Sequence, residues 1–267
     1  MKVLELFAGT RSISKAFEAR GHETYCIEWD KKFPNIDWYA DINEVTAQDI
    51  LERFGRPDVM WLSFDCKSFS VSAISHHRRK NPVTGNLDPI SEYAKFCDKV
   101  DQHCLELIRE LKPKYWFIEN PVGGLRKMTW MQGLPRYTTT YCQYGERRQK
   151  PSDFWTNHPD PQFAPPCKRG APCHEAAPRG SQTGTQGLKN AIEKARIPKL
   201  LCEHIVNICE MRCCSVCGKP MREGYVVNDG EEYYCSDECL HTKYTEKEYE
   251  DMCDNEYAYW TTWELGF

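Results

Sequence analysis

The chain predicts an α/β fold built on an open sheet that gathers its ligands at the C-terminal strand edge, and three stretches carry that prediction. Residues 3–7 form a short apolar strand that runs into Ala8-Gly9-Thr10 and then into a helix-like segment from Ser12 to Arg20. Strand, glycine turn and helix are the opening unit of a nucleotide-binding sheet, with backbone N–H groups free at the turn. Residues 58–63 form a second apolar strand, which ends in Phe64-Asp65-Cys66-Lys67-Ser68-Phe69-Ser70. Residues 115–118 form a third, which ends in Glu119-Asn120-Pro121. Pro121 stops that strand and holds Asn120 extended. Taken alone, Glu-Asn-Pro is a capped turn. Taken with a cysteine at another strand end, it offers a nucleophile and a proton donor to one pocket.

The remaining elements fit the same fold. Gly21 closes the first helix, and residues 23–27 make a strand ending in Glu28-Trp29-Asp30. An acidic residue there suits ribose hydroxyls and Trp29 suits an adenine ring, although a structural turn has the same appearance. Asp41-Ile42 follows in a short loop before a helix over 45–54. Residues 71–90 are a long polar loop carrying His76-His77-Arg78-Arg79-Lys80, either solvated or closing on a phosphate backbone. The helix over 91–111 spaces Cys97, Val100, Cys104, Leu107, Ile108 and Leu111 by threes and fours, so its cysteines belong to the core. Residues 137–142 and 153–156 are further strands, with Arg147, Arg148 and Lys150 between them. Periodicity is lost over 157–188, the composition of a recognition or loosely ordered segment. A closing helix, 198–211, puts Leu201, Ile205 and Ile208 on one face.

Composition bounds the function. No apolar run approaches the roughly 20 residues of a membrane span, and the first strand starts too close to Met1 for a signal peptide. A cytosolic chain is expected, so its 15 cysteines point to metal binding and chemistry rather than to disulfides. Residues 223–267 hold 13 Asp/Glu and 2 Lys, a charge of −11, whereas the rest carries 33 Lys/Arg against 26 Asp/Glu. The body is mildly basic, as a nucleic-acid partner favours, and the tail is strongly acidic. Within that tail Cys214-x2-Cys217-x17-Cys235-x3-Cys239 has the spacing of a closed tetrahedral zinc site, with Cys213 as a competitor for register. Its terminal aromatics, Tyr259, Trp260 and Trp263, are expected to dock on the main body. Cys167-x5-Cys173-His174 offers three more ligands and needs a distant fourth such as Cys142; its spacing matches no recognised zinc module.

In order, Phe7-Ala8-Gly9, Glu28-Trp29, Cys66 in Cys-x-x-Phe-Ser, Glu119-Asn120-Pro121 and Arg147-Arg148 before a strand resemble the cytosine-C5 DNA methyltransferases, especially compact phage and prophage forms. The resemblance covers roughly residues 1–210 and excludes the cysteine-rich tail. It implies a Rossmann-like, S-adenosylmethionine-dependent methyltransferase sheet in residues 1–156 and 189–211. A short target-recognition stretch would occupy 157–188 and a small C-terminal zinc-binding module 212–267. It further implies S-adenosylmethionine over Phe7, Ala8 and Gly9, with Glu28 on the ribose, Trp29 against adenine and Asp41 near the adenine edge. Cys66 would add to C6 of a flipped cytosine, Glu119 would hold the N3 edge, Asn120 would hold the loop, and Arg148 (or Arg147) would support the base and the Cys66 strand. The implied partner is double-stranded DNA, met by a monomer in a bacterial or phage-infected cytoplasm, in restriction evasion or phage modification.

Two departures bear on that chemistry. Arg11 stands where the family usually has glycine, and Phe64-Asp65-Cys66-Lys67 replaces its Pro-Pro-Cys-Gln. Asp65 disfavours a Cys66 thiolate, and Lys67 is expected to compensate. Two other readings compete: an RNA (tRNA-type) cytosine-C5 methyltransferase, and a catalytically weak DNA-binding or regulatory protein derived from the same family.

Overall fold

The computed structural model describes residues 1–168, 170–175, 188 and 190–263. They form two compact units, Met1–Asn157 with Phe163–Glu203, and His158–Gln162 with His204–Phe267.

The first unit is α/β. Strands β1 (Lys2–Leu6), β2 (Glu23–Glu28), β3 (Trp38–Tyr39) and β4 (Val59–Ser63) precede a small hairpin, β5 (Arg78–Lys80) and β6 (Leu87–Pro89). Then come β7 (Tyr115–Pro121), β8 (Arg136–Thr140) and β9 (Pro151–Thr156). The seven-stranded sheet has the order β3-β2-β1-β4-β7-β9-β8. Within it β3, β2, β1, β4 and β7 are parallel, and β9 runs antiparallel to both its neighbours. Strand order reverses between β1 and β4, so the ligand crevice of an open α/β sheet opens at their C-terminal ends.

Alternation along the strands sorts the two faces. Leu4, Leu6, Met60, Leu62, Trp116 and Ile118 join one core with Ile50 of α2 (Ala47–Arg53) and with Val100, Cys104, Leu107 and Leu111 of α4 (Glu92–Leu111). Glu5 points the other way, toward α1 (Ser12–Glu18), and Trp61 stacks on Phe117 with ring centroids 6.1 Å apart. Capping fixes the helix starts: Thr46 and Asp49 form a capping box on α2, and Ser91 accepts the Ala94 N–H on α4. The threes-and-fours spacing of α4 therefore buries Cys97 and Cys104 as expected.

Two local expectations change. Strand β7 continues through Glu119 and Asn120 to Pro121, because its last residues pair with β9 (Asn120 with Asp153, Pro121 with Ser152). Its pairing with β4 ends at Ser63 and Glu119, which frees the side where proline has no N–H to give. The 71–90 segment is also not a simple solvated loop. It contains α3 (Ile74–His77) and the β5–β6 hairpin, and it turns Arg78 inward. That guanidinium is ion-paired to Asp98, donates to the Ser68 carbonyl (3.1 Å) and hydroxyl (3.1 Å), and lies over the Phe69 ring at 4.0 Å. Arg78 therefore anchors the loop after Cys66, and only Arg79 and Lys80 of the basic triplet face solvent. Of the 157–188 stretch, residues 169 and 176–187 lie outside the described residues. The unit closes with α5 (Ala191–Ala195) and the start of α6 (Lys199–Glu210).

The second unit has its own sheet. A short hairpin, β10 (Arg212–Cys213) with β11 (Pro220–Met221), presents Cys214 and Cys217 on its turn. Strands β12 (Glu223–Val227), β13 (Glu232–Tyr234) and β14 (Ala258–Thr262) form a three-stranded antiparallel sheet in the order β13-β12-β14. It packs with α7 (Asp237–Leu240) and α8 (Glu246–Asp254) around Val227, Tyr234 and Leu240. The terminal aromatics are used inside this unit. Trp260 meets Tyr225 at 4.6 Å between centroids, and Trp263 receives the Arg212 guanidinium at 4.9 Å. No helix among the described residues is long and apolar enough to cross a membrane.

The Arg78–Asp98 pair sits beside buried Asp101, whose carboxyl is pushed well above its ordinary range by burial and then by Asp98. Removing the cation would strand these acids, at a cost of about 3–5 kcal/mol. Arg78→Ala should lower the urea midpoint accordingly, whereas Arg79→Ala should leave it nearly unchanged. Equal midpoints for the two variants would show that Arg78 is not the anchor.

Candidate active site

The turn after β1 has an unusual backbone. Phe7, Gly9 and Arg11 all have positive φ, at 57°, 49° and 56°. Arg11 thus adopts the left-handed conformation natural to glycine, at about 1–2 kcal/mol. Its guanidinium offsets this by donating to Cys26 Sγ (3.2 Å) and pairing with Glu18. Buried Glu28 bridges two strand ends: Oε2 accepts the Gly9 N–H (2.9 Å), and Oε1 accepts those of Trp29 (3.0 Å) and Asp30 (3.1 Å). Asp41 Oδ1 accepts the Asn43 N–H at 3.0 Å and fixes the next loop. A cavity of ≈ 320 Å³ opens here, walled by Phe7, Glu28, Trp29, Asp41, Asp65 and Tyr93 among others. Four residues singled out in the sequence thus share one cavity, with Ala8 and Gly9 in the turn beneath.

Sequence reasoning missed Glu5. It is buried, accepts the N–H groups of Ile13 (3.3 Å) and Ser14 (2.8 Å), and so serves the N-terminus of α1. Burial pushes its carboxyl up to about 7, against the pull of Ser14. The available signal was a charged residue in the middle of an apolar strand.

Strands β4 and β7 deliver the second group of residues. Ser63 pairs with Glu119 in register, so the Cys66 loop and the Glu119-Asn120 end leave the sheet side by side. Asn120 Nδ2 donates to the Phe64 carbonyl at 2.9 Å. Gly124 N donates to the Phe69 carbonyl at 2.7 Å, and a Cβ on Gly123 would stand 2.5 Å from the same oxygen. These two glycines let the loops touch, a second feature that sequence reasoning passed over.

Glu119 is buried, and its Oε1 accepts from Tyr141 Oη (2.9 Å) and Ser152 Oγ (2.8 Å), with Lys150 Nζ at 3.6 Å. Cys66 is exposed as a residue, yet enough protein surrounds its thiol to disfavour the thiolate. Burial and the neighbouring Asp65 push the thiol up to about 11; Lys150 opposes them and Glu119 adds to them. The compensating cation is therefore Lys150 and not Lys67, whose Nζ lies over the Tyr93 ring at 5.1 Å. Arg148 is buried and donates to Glu146 at 3.1 Å, and its Nε has no hydrogen-bond partner among the described residues. Arg147 is partly exposed, 3.7 Å from Glu175.

In the second unit Cys214, Cys217, Cys235 and Cys239 bring their sulfurs within 4.8 Å of one another. Cys217 is 3.6 Å from Cys235, and Cys235 is 3.7 Å from Cys239. Cys214, rather than Cys213, joins this group. Gly218 with φ 71° permits the tight turn between the first ligand pair and β11.

The charges around Cys66 give a test. A thiol near 11 leaves only ~10⁻⁴ of the sulfur as thiolate at pH 7. Alkylation of Cys66 by iodoacetamide in the free protein, read by peptide mass spectrometry, should be slow at pH 7 and rise toward about pH 11. Lys150→Met removes a charge that favours the thiolate and should move the profile to higher pH. Asp65→Asn removes a like charge and should move it lower. A profile indifferent to both changes would show that neither charge acts on the sulfur.

Residues 1–136, half of the chain, match the family model described as C-5 cytosine-specific DNA methylase. A probable DNA (cytosine-5)-methyltransferase of Frog virus 3 (isolate Goorha) is 29% identical over 162 residues, 59% of this chain and 71% of that protein. Among solved structures, the S. pombe Dnmt2 methyltransferase aligns with a TM-score of 0.41 and 13% identity over 58% of this chain and 48% of that one. A Spodoptera frugiperda DNMT2 mutant aligns with a TM-score of 0.40 and 14% identity over 62% and 53%. This chain spans about half of each solved chain. With the matched region running from the β1 turn through Cys66 and the Glu119-Asn120 strand end, the chain belongs to the C-5 cytosine-specific DNA methylase family.

Proposed function

We propose that the protein is a DNA cytosine-C5 methyltransferase that uses S-adenosylmethionine and works through a covalent Cys66 adduct. The observation that carries this reading is the union of Cys66 and Glu119 at adjoining strand ends, tied by Asn120 to Phe64, next to the Phe7–Glu28–Trp29–Asp41 cavity. That cavity suits an adenosine: a buried carboxylate, an exposed indole and an apolar floor in ≈ 320 Å³, within the usual range of ligand pockets. Glu28 would take the ribose hydroxyls, Trp29 the adenine face and Asp41 its edge, with the methionine end over Ala8 and Gly9. S-adenosylmethionine supplies an electrophilic methyl group on its sulfonium.

The residues then divide the work on the base. The cytosine must be flipped, since its C5 and C6 faces are covered in the stack. Cys66 sulfur forms a bond to C6 while Glu119 hydrogen-bonds the N3 edge, and the ring electron pair moves to C5. C5 takes the methyl group. A base then removes the C5 proton, and the released electron pair expels the Cys66 thiolate and restores the ring. Asn120 holds the Cys66 loop; Lys150 favours the thiolate; Arg148 with Glu146 supports the segment that carries Tyr141 and Lys150. Duplex DNA as acceptor is supported by the basic body and by the exposed Arg79 and Lys80. Residues 157–188 would read sequence, and the Cys214–Cys217–Cys235–Cys239 group would hold a structural zinc. The setting would be a bacterial or phage-infected cytoplasm.

Duplex DNA containing 5-fluorocytosine tests the chemistry, because fluorine cannot leave as the proton does. With S-adenosylmethionine present, the wild type should form a covalent complex and Cys66→Ala should not. Glu119→Gln should lower methyl transfer at least ~10²-fold while leaving DNA binding nearly intact, as expected for a group needed in the transition state. Transfer to tRNA but not to duplex DNA would reassign the substrate. An adduct that survives Cys66→Ala would identify a different nucleophile.

A further inference from the structure

Outside the pocket, the first unit brings together four ligand-type side chains, the Cys167, Cys173 and His174 group and the distant Cys142, whose spacing in the sequence matches no recognised zinc module. Cys142 lies in the 3-10 turn Tyr141–Tyr144 after β8, whereas Cys167, Cys173 and His174 come from the following irregular stretch. Their ligand atoms all lie within 4.8 Å of one another. Cys142 Sγ is 3.1 Å from Cys167 Sγ and 3.6 Å from Cys173 Sγ. His174 Nδ1 is 3.5 Å from Cys167 Sγ and 3.6 Å from Cys173 Sγ.

We propose that Cys142, Cys167, Cys173 and His174 form a second structural zinc site, distinct from the tail cluster. A tetrahedral zinc with Zn–S near 2.3 Å and Zn–N near 2.05 Å sets S···S edges of about 3.8 Å and S···N edges of about 3.6 Å. Three of the four distances above lie close to those edges. The Cys142–Cys167 edge, at 3.1 Å, must open by about 0.7 Å to reach the tetrahedral value. Three thiolates and an imidazole close the coordination shell and select zinc over hard cations.

The surrounding backbone is built for such a knot. Cys167 N donates to Thr140 Oγ1 (3.1 Å), Gln149 Nε2 to the Cys167 carbonyl (3.2 Å), and Gln143 Nε2 to the Pro165 carbonyl (3.0 Å). Glu175 N donates to the Arg147 carbonyl at 2.9 Å, just past the last ligand. Gly170, at φ 82°, turns the chain between Cys167 and Cys173. The ion would thus staple residues 163–168 and 170–175, which among the described residues have no helix or strand of their own, onto the segment that runs from β8 to β9. That segment carries Tyr141 and Lys150 to Glu119, so the staple also supports the surroundings of that carboxylate. This last consequence rests on the role proposed for Glu119; the metal assignment does not.

The test is metal content, which is independent of methyl transfer. Full-length protein, purified reduced and without added metal, should contain two zinc ions per chain. Cys235→Ser with Cys239→Ser should leave one, and Cys167→Ser with Cys173→Ser should also leave one. His174→Cys should keep two. In the Cys235→Ser/Cys239→Ser background loaded with cobalt, it should move the ligand-field absorption from a three-sulfur, one-nitrogen pattern to a four-sulfur pattern. That spectroscopic arm decides the matter if the Cys167/Cys173 variant is insoluble. One zinc per chain that disappears with the tail variant would overturn the proposal. So would two zinc ions retained after loss of Cys167 and Cys173, a cobalt spectrum unmoved by His174→Cys, or a Cys142–Cys167 disulfide found in reduced protein.

Discussion

The Cys66 loop and the Glu119 strand end are held together first by one hydrogen bond, from the Asn120 amide to the carbonyl of Phe64. Parallel strands β4 and β7 end side by side, but loops leaving adjacent strands diverge unless something holds them. Asn120 supplies that tie from a fully buried position, so its loss would leave both an unpaired carbonyl and a cavity. The contact of Gly124 N with the Phe69 carbonyl repeats the tie one turn later, and Arg78 holds the same loop from the helix side through Ser68. Three independent fastenings converge on a loop of seven residues. Proline would stiffen such a loop from within; here the sequence has Phe64 and Asp65, and the stiffness comes from outside.

The turn after β1 and the cavity beside it show a similar substitution of means. Arg11 occupies a left-handed position without being glycine, and it stays there because its side chain has two partners, Cys26 and Glu18. Asp65 belongs to this side as well. It lines the cavity, receives the Tyr93 hydroxyl and accepts the Lys67 N–H at 2.8 Å. The carboxylate next to Cys66 in sequence is thus engaged with Tyr93 of the cavity lining, and Lys150 approaches from β9's side.

What the sequence made legible follows from range. Strand identities, the helix register of α4, the turn over Gly9 and the four-cysteine tail are set by periodicity, capping and spacing within a few residues. The structure gathers Phe7, Glu28, Trp29 and Asp41 at one cavity because each closes an element whose place in a doubly wound sheet is fixed. Arg78, Lys67 and Lys150 were not legible for the opposite reason. Whether a cation in a loop faces solvent, a ring or a carboxylate depends on partners such as Asp98, Tyr93 and Glu119, which lie 20, 26 and 31 positions away. Charge runs report composition, and only packing decides which member turns inward.

The cysteines carry this argument furthest, since one residue type is sorted here by environment alone. Cys97 and Cys104 lie on the apolar face of α4 and act as small core residues, as does Cys202 on α6. Cys26 is buried too, but beside Ser14 and Arg11, where burial and then Glu5 push its thiol up to about 12. Seven others converge in two groups of ligand size: Cys142, Cys167 and Cys173 with the His174 imidazole, and Cys214, Cys217, Cys235 and Cys239 in the tail. Cys66 belongs to none of these classes: it is exposed, flanked by charges of both signs, and set against a buried glutamate on the neighbouring strand. Core packing needs apolar neighbours, a metal needs several soft ligands within one coordination sphere, and a nucleophile needs access together with an adjustable charge field. Those three requirements exclude one another at any single position, which is why Cys66 stands out as the candidate nucleophile among these cysteines even though burial and Asp65 push its thiol up.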